Sequence, residues 1–273
     1  MSFEDVASRP EFTVRTVTCR HDRRGWSEVE SPGAYRLVLV RRGRFRRRGA
    51  HGTEEVDPTL AYVGTPAEEE HFAHPAGGDL CTLVSLAPAL WRELAGEANL
   101  RRSAVYVDAR LDLAHRRFLR AARSGGADDA LCEELMGLVG EVVGQVVNGP
   151  TPVDAKPNRT DGALVAAARR AIGDGHPAAD GLRPLAQLLG VSPYRLSRAF
   201  THGLGVSVTR YRNRVRVGRA LQRLEDGETS LASLAADLGF ADQAHLTRTM
   251  TAYLGRPPAA VRRLLAGPGT VAV

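Results

Sequence analysis

Lysine is almost absent from this sequence of 273 residues, in which a single lysine, Lys156, stands among 37 basic residues. A bias this strong toward arginine is typical of a GC-rich genome. The number of arginines therefore says little about function, and their distribution along the chain is the informative property.

Cysteine is also scarce, and long apolar runs are missing. Cys19, Cys81 and Cys132 are odd in number and widely spaced, which does not fit a disulfide framework and agrees with a reducing compartment. No apolar run approaches the roughly 20 residues that span a bilayer. The acidic start of the sequence does not resemble a secretory signal. We therefore expect a cytoplasmic protein that makes no membrane contact.

Positive charge is confined to one end of the chain. Residues 158–273 contain 16 arginines and 8 acidic residues, a net charge of +8, whereas residues 1–157 contain 21 basic and 23 acidic residues, a net charge of −2. A basic region joined to a nearly neutral one suggests a polyanion as the partner of the basic region.

The sequence divides into two domains around a proline-rich linker. NGPTPVDAKPNRT, residues 148–160, has no apolar period, so we place an N-terminal domain at 1–148, the linker at 149–160 and a C-terminal domain at 161–273. Short apolar segments between residues 13 and 86 predict strands of an antiparallel β-barrel, with a hairpin turning near Gly43. Apolar residues three and four apart predict two helices, at 112–123 and 129–147.

The second of these helices carries a long apolar stripe, and two interpretations of it are open. The stripe either packs inside the N-terminal domain or forms the seam of a homodimer. Its residues are Leu131, Leu135, Leu138, Val142 and Val146.

The C-terminal domain is predicted to be all-α, with about seven helices, and its sequence repeats itself. LAQLLGVSPYRLSRAFTHGLG at 185–205 and LAADLGFADQAHLTRTMTAYLG at 234–255 each read as a short helix, a glycine, an apolar residue, a capping residue and a second helix. This order is the plan of a helix-turn-helix motif, in which the second helix enters the major groove of DNA. Two copies joined by one long helix, about 208–224, are a much more specific signal than one.

These residues resemble the DNA-binding region of the AraC/XylS family of bacterial transcription regulators. The resemblance covers about residues 162–265 and rests on LAxxxGxSxxxLxRxF, GxSxxxYxxxxRxxxAxxxL and LAxxxGFxDxxxxxRxMxxxxGxxPxxxR, as they stand between residues 185 and 262. Val208, Met250 and Val261 depart from common residues of the family at positions expected to lie in the core. The resemblance implies a dimeric regulator that binds double-stranded DNA and contacts RNA polymerase, and it leaves activation or repression open.

The capped second helices provide candidate DNA contacts. Arginine can donate two hydrogen bonds to guanine and glutamine can bond adenine twice, so Arg198, Gln243 and Arg248 are the leading base-reading candidates. Arg212 and Arg219 on the long helix are candidates for phosphate contacts, and the resemblance implies a structural role for Arg216. The other predicted DNA-binding residues are Tyr194, Arg195, Ser197, Ala244, His245 and Thr247.

The N-terminal domain loosely resembles the cupin-like sensing and dimerisation domains that often precede this DNA-binding unit, which implies an unidentified small-molecule effector. An effector site is predicted at Tyr35, Arg46 and Tyr62, although Arg44, Arg46 and Arg48 fit a solvated strand face equally well. The predicted barrel lining consists of Trp26, Tyr35, Leu37, Leu39, Phe45 and Tyr62.

Histidine and cysteine residues in the same domain offer metal ligands, although no cofactor is predicted. Cys19, His21, His71, His74 and Cys81 are the candidates, since imidazole and thiolate both bind zinc.

Together these observations predict a multidomain α+β protein that is a DNA-binding transcription regulator. The alternatives are a metal-dependent cupin-type enzyme fused to a DNA-binding domain and an adaptor that binds protein alone. The sequence contains neither a G-x-S-x-G motif nor a Walker loop, so it offers no sign of a nucleophile elbow or a phosphate-binding loop.

Overall fold

The computed structural model describes residues 1–20, 22–50, 52–96, 100, 103–124, 128–148 and 159–265. The chain forms two compact units, Met1–Gly149 and Pro150–Val273. The predicted linker lies mostly outside the described residues, and its last two residues already belong to a helix. Among the described helices, none combines the length and apolar character needed to cross a membrane.

The first unit contains two antiparallel sheets. Six strands pair in the order β1-β2-β8-β3-β6-β9, and three more pair in the order β5-β4-β7. The strands are β1 Ser2–Ser8, β2 Phe12–Cys19, β3 Tyr35–Arg42, β4 Phe45–Gly49, β5 Gly52–Val56, β6 Leu60–Gly64, β7 His71–Ala73, β8 Asp79–Leu86 and β9 Ala104–Tyr106. Within the described residues no strand is hydrogen-bonded to both sheets, so the predicted closed barrel is not observed.

The inner strand β3 of the large sheet is buried on both faces. Leu37 and Leu39 pack into a cluster with the helices of this unit, whereas Val38 and Val40 face the small sheet together with Phe45 and Tyr62. Successive residues of a strand point to opposite faces. The prediction that Tyr35, Leu37 and Leu39 line an interior between strands was therefore wrong, because these residues face the helices.

The predicted β3–β4 hairpin is also wrong. β3 pairs with β6 and β8, and β4 pairs with β5 and β7, so the chain passes from one sheet to the other at Gly43. Gly43 has φ +78, and a Cβ atom there would lie 2.4 Å from the Gly78 carbonyl oxygen. Glycine at this position permits both the left-handed backbone and the close approach of the two chains.

Three helices cover the outer face of the large sheet, one more than predicted. They are α1 Pro88–Ala95, α2 Ala109–Ser124 and α3 Asp128–Asn148. The stripe on α3, from Leu131 to Val146, is buried in the cluster beneath these helices, so it packs inside the unit and is not available as a dimer seam. The unpredicted α1 contributes Trp91, whose ring stacks on Tyr35 with centroids 4.5 Å apart.

The second unit is helical, as its apolar periodicity predicted. Its seven described α-helices are α4 Arg159–Gly173, α5 Leu182–Leu188, α6 Pro193–Leu204, α7 Val208–Glu225, α8 Leu231–Asp237, α9 Gln243–Leu254 and α10 Pro258–Leu265, and a 3-10 helix, Pro177–Asp180, precedes α5. Val208, Met250 and Val261, which depart from the family pattern, are all buried.

A buried ion cluster holds the small sheet of the first unit. Arg47 points inward and is 1% exposed, with Nε 2.6 Å from Glu70 Oε1 and Nη2 2.8 Å from Glu68 Oε1. Its guanidinium also stacks over the Tyr62 ring, and Arg36 forms a second ion pair with Glu70. Neighbouring Arg46 is exposed, in agreement with the solvated alternative for that strand face.

We expect Arg47→Ala to lower the free energy of unfolding of this unit by about 3–5 kcal/mol, because Glu68 and Glu70 each lose a buried ion-pair partner. Arg46→Ala removes the same charge from the surface and is expected to cost less than about 1 kcal/mol. Urea unfolding followed by tryptophan fluorescence measures this unit selectively, since both tryptophans, Trp26 and Trp91, lie in it. Equal effects of the two substitutions would contradict the assignment.

Candidate nucleic-acid interface and ligand cavity

The first copy of the repeat folds as a helix-turn-helix. α5 ends before Gly190, which has φ +66 and allows the chain to reverse. Ser192 then caps α6, and its side chain accepts a hydrogen bond from the Arg195 amide at 3.2 Å. α6 ends at Gly205 in the left-handed conformation.

The second copy repeats this construction almost residue for residue. α8 ends before Gly239 with φ +71, and Asp242 Oδ1 accepts from the His245 amide at 2.6 Å. α9 has 12 residues, as α6 does, and also ends at a left-handed glycine, Gly255. The two motifs are thus equivalent in three dimensions as well as in sequence.

The core faces of the two second helices match, and so do their exposed faces. Leu196 and Leu246 are fully buried, whereas Arg198 and Arg248, two residues further on in each helix, are exposed. The exposed residues of the predicted set are Tyr194, Arg195, Arg198, Gln243, Ala244 and Arg248, and the half-buried ones are Ser197, His245 and Thr247. Each helix therefore presents an arginine to solvent at the same position.

The first helix holds its arginines in place by local contacts. The Arg198 guanidinium lies over the Tyr194 ring, 5.8 Å from its centroid. Arg195 Nη2 lies 3.4 Å from Asp161 Oδ1 on α4. Because both members of that ion pair are largely exposed, it stabilises the fold little.

His245 has a structural contact that sequence reasoning missed. The second copy contains one extra residue before its cap, Ala241, and His245 Nδ1 accepts a hydrogen bond from the Ala241 amide at 3.3 Å. Its ring also packs edge-on against Phe240. The sequence indicated this difference between the motifs, because the second turn is one residue longer than the first.

α7 contacts the second helix of both motifs. The Phe200 ring of α6 meets the Tyr211 ring of α7 in a T-shaped contact at 5.1 Å. From α9, the Tyr253 hydroxyl donates to the Arg210 carbonyl oxygen at 3.1 Å. The 18 residues of α7 correspond to about 27 Å at about 1.5 Å per residue.

The arginines of α7 bind mainly to their own domain. Arg212 is half-buried and donates to the carbonyl oxygens of Ala179 and Asp180, so its predicted role as a phosphate contact is replaced by a bracing role. Arg216 lies 3.0 Å from Asp180 Oδ1 and stacks over Phe240, and in this way links the 3-10 helix to the second motif. Arg219 donates to the Gly173 carbonyl oxygen but remains exposed.

The first unit contains a cavity of about 620 Å³ between its two sheets. Phe45, Phe72, Val38 and Leu83 form much of its apolar wall. The polar residues that line it are Cys19, Asp22, Arg23, Ser27, Glu30, Arg36, Tyr62, His74, Asp79 and Cys81. A cavity with an apolar wall and convergent polar groups is the usual form of a small-molecule site.

The predicted effector residues lie in different places. Tyr62 lines the cavity, whereas Tyr35 stacks on Trp91 on the opposite face of the sheet. Arg46 is exposed and is absent from the cavity wall, where Arg36 stands instead. Trp26, predicted to line the interior, is partly exposed under Arg48.

The predicted metal ligands are only partly brought together. Cys19, His74 and Cys81 line the cavity, but His71 points away from it, with Nδ1 3.0 Å from the Ser27 carbonyl oxygen. His21 lies outside the described residues. Asp79, which sequence reasoning did not select, stands among the three cavity-lining residues with Oδ2 3.0 Å from His74 Nε2.

Burial controls the protonation of the cavity's acidic groups. Burial, followed by the charge of Asp79, raises the pKa of Cys19 and strongly raises that of Cys81. Burial also raises the pKa of Tyr62 well above its ordinary value, against the opposing charge of Arg36. Because these pKa values are raised, the two thiols and the phenol are neutral near pH 7.

Capping at α9 can be tested directly. We expect Asp242→Ala to cost about 1 kcal/mol, because the His245 amide loses its acceptor, and Asp242→Asn to cost much less because asparagine caps as well. Amide hydrogen exchange across 243–247 in the full-length protein measures the local effect. The cap assignment is contradicted if both substitutions leave exchange unchanged.

Comparison with known proteins gives a family match in the second unit. Residues 185–264 match a family model described as a helix-turn-helix domain. The comparison with curated proteins found no match.

Solved structures resemble the chain only loosely. ToxT from Vibrio cholerae with a bound unsaturated fatty acid is 10% identical, with 95% of this chain and 98% of that chain covered and a TM-score of 0.38. The C-terminal domain of AraT, a response regulator from Geobacillus stearothermophilus, is 26% identical, with 40% of this chain and 91% of that chain covered and a TM-score of 0.36. The family match and the duplicated capped helices agree on the same segment. Residues 185–264 form a helix-turn-helix domain of the AraC type.

Proposed function

We propose that this protein is a sequence-specific transcription regulator in which α6 and α9 read double-stranded DNA and the first unit binds a small-molecule effector. The observation that carries the proposal is the equivalence of the two motifs, each of which exposes an arginine, Arg198 or Arg248, beyond a buried leucine. Chance repetition of capping, turn and exposed face in an unrelated helical domain is improbable.

The charge and length of the second unit support the same proposal. Its net charge of +8 over residues 158–273 favours binding to the phosphate backbone. α7 is about 27 Å long and lies between α6 and α9 in the chain. Major grooves on one side of B-DNA recur about every 34 Å. On this basis we propose that the two motifs bind successive major grooves of one duplex.

The residues divide into base-reading and backbone-binding groups. Gln243 is the first residue of α9, and Arg198 and Arg248 are each the sixth residue of their helix. All three side chains are exposed, and we assign them to base edges. Arg219 is exposed on α7 and remains the candidate for a phosphate contact. His245 and Arg212 are engaged in the fold, so they are not among the proposed contacts.

The cavity of the first unit supports the sensing half of the proposal. Its volume of about 620 Å³ lies within the range of about 300–1,000 Å³ that is usual for ligand pockets. ToxT, to which the chain is loosely similar, has been solved with an unsaturated fatty acid bound, but the residues lining the present cavity are the basis of the proposal. A ligand that binds one arrangement of the two units more tightly than another would shift the protein toward that arrangement. The affinity for DNA would then change by at most the difference in the ligand's affinity for the two arrangements. Dimerisation and contact with RNA polymerase belong to the same proposal.

Selection of bound duplexes from a random pool with the full-length protein, followed by gel-shift titration, tests DNA reading. We expect Arg198→Ala and Arg248→Ala each to reduce discrimination at a single base pair by about 1–3 kcal/mol. Arg219→Ala is expected to weaken binding to all duplexes alike and to lower the slope of log K against log salt by about 1.

Arg46→Ala is the control for these variants, since it removes the same charge from the first unit and is expected to leave binding unchanged. If Arg198→Ala and Arg248→Ala behave as Arg46→Ala does, the reading helices are wrongly assigned.

The apolar dye 8-anilinonaphthalene-1-sulfonate probes the cavity. We expect one molecule of dye to bind per chain with enhanced emission, and Leu83→Trp to lose most of this signal because the new ring fills part of the cavity. Leu188→Trp adds the same side chain on the exposed surface of the second unit and is expected to bind the dye normally. Unchanged dye binding by Leu83→Trp would show that the dye lies elsewhere.

A further inference from the structure

Metal-ligating side chains from three parts of the first unit meet at one side of the cavity. Cys19 at the end of β2 stands opposite Asp79 at the start of β8 in the antiparallel register, so both side chains lie on the same face of the sheet. His74 follows β7. One ligand atom from each of these three residues lies within 4.8 Å of the other two.

The cluster is buried, and its carboxylate is poorly satisfied. Asp79 is 6% exposed, and its Oδ2 atom makes no hydrogen bond, although His74 Nε2 lies 3.0 Å away. Its other oxygen accepts a hydrogen bond from the Cys81 thiol at 2.9 Å. A buried carboxylate with so few donors is unfavourable unless a cation compensates its charge.

The spacing and chemistry of the three ligands fit a particular class of ion. One thiolate, one imidazole and one carboxylate suit Zn²⁺, whose bonds to sulfur, nitrogen and oxygen are about 2.0–2.3 Å long. Ligand atoms around a tetrahedral zinc ion are therefore about 3.3–3.8 Å apart. Small side-chain rotations bring the observed atoms to that separation.

We propose that Cys19, His74 and Asp79 form a binding site for Zn²⁺ or a divalent ion of similar chemistry, with the fourth coordination position open toward the cavity. Binding releases the Cys19 thiol proton to solvent, as metal binding by cysteine requires. A small molecule in the cavity with a carboxylate or another donor group could then complete the coordination. The site is built within the first unit and does not depend on DNA binding.

Cobalt(II) titration of the full-length protein, stripped with chelator and kept reduced, tests the site. We expect one Co²⁺ per chain, a thiolate-to-cobalt charge-transfer band in the near ultraviolet, visible bands of tetrahedral strength, and displacement by Zn²⁺. Cys19→Ser is expected to abolish the charge-transfer band. His74→Gln and Asp79→Asn are each expected to weaken binding by about tenfold or more.

The control variants remove cysteine or histidine side chains that are not among the three proposed ligands. Cys132→Ser, on the exposed surface of α3, and His71→Ala are expected to bind Co²⁺ as the unaltered protein does, and Cys81→Ser is expected to keep the charge-transfer band. Circular dichroism checks folding, and His74→Gln, at the more exposed edge of the cluster, decides the matter if Cys19→Ser does not fold. The proposal is overturned if the unaltered protein binds no stoichiometric Co²⁺, or if the band survives Cys19→Ser.

Discussion

The fold of the helix-turn-helix domain depends on the packing of α7 against both motifs. Tyr211, Val217 and Leu221 are at most 1% exposed, and the same helix contacts α6 through Phe200 and α9 through Tyr253. Neither motif is large enough to bury a core of its own. Both motifs complete their cores by packing against α7. This one helix therefore sets the positions of the two exposed arginines.

The first unit is built differently, since inner strands of its large sheet are buried on both faces. Helices cover one face of the large sheet and the small sheet covers part of the other. Charged residues can enter such an interior only when they are paired, as Arg47 is with Glu68 and Glu70. The cavity remains where apolar side chains of the two sheets do not meet, and the cluster of Cys19, His74 and Asp79 closes one side of it.

The abundant arginines thus have several separate uses. Arg47 stabilises a buried carboxylate cluster, Arg216 links the 3-10 helix to the second motif through Asp180 and Phe240, and Arg212 braces the 3-10 helix. Arg198 and Arg248 are left at the surface of capped helices. Charge counting could not separate these uses, because the use of each arginine depends on which face of its helix or strand the side chain occupies.

Most helices of the C-terminal domain were predictable from the sequence, although α4 begins at Arg159, inside the predicted linker. Glycines with positive φ, capping Ser and Asp residues and apolar residues at helical spacing are local signals, and they predicted α4 to α10, both turns and the exposed arginines. In the first unit the sequence predicted several strands and two helices correctly, from their alternating or helical patterns.

Tertiary structure alone decided which strands pair and what each face meets. The passage of the chain between sheets at Gly43, the orientation of β3, the burial of Arg47 and the meeting of Asp79 with Cys19 and His74 all depend on contacts between residues far apart in sequence. A strand buried on both faces, as β3 is, shows no alternation that would reveal its register. The other side chains meet only because separate strands and loops are brought together, so no local pattern could have placed them.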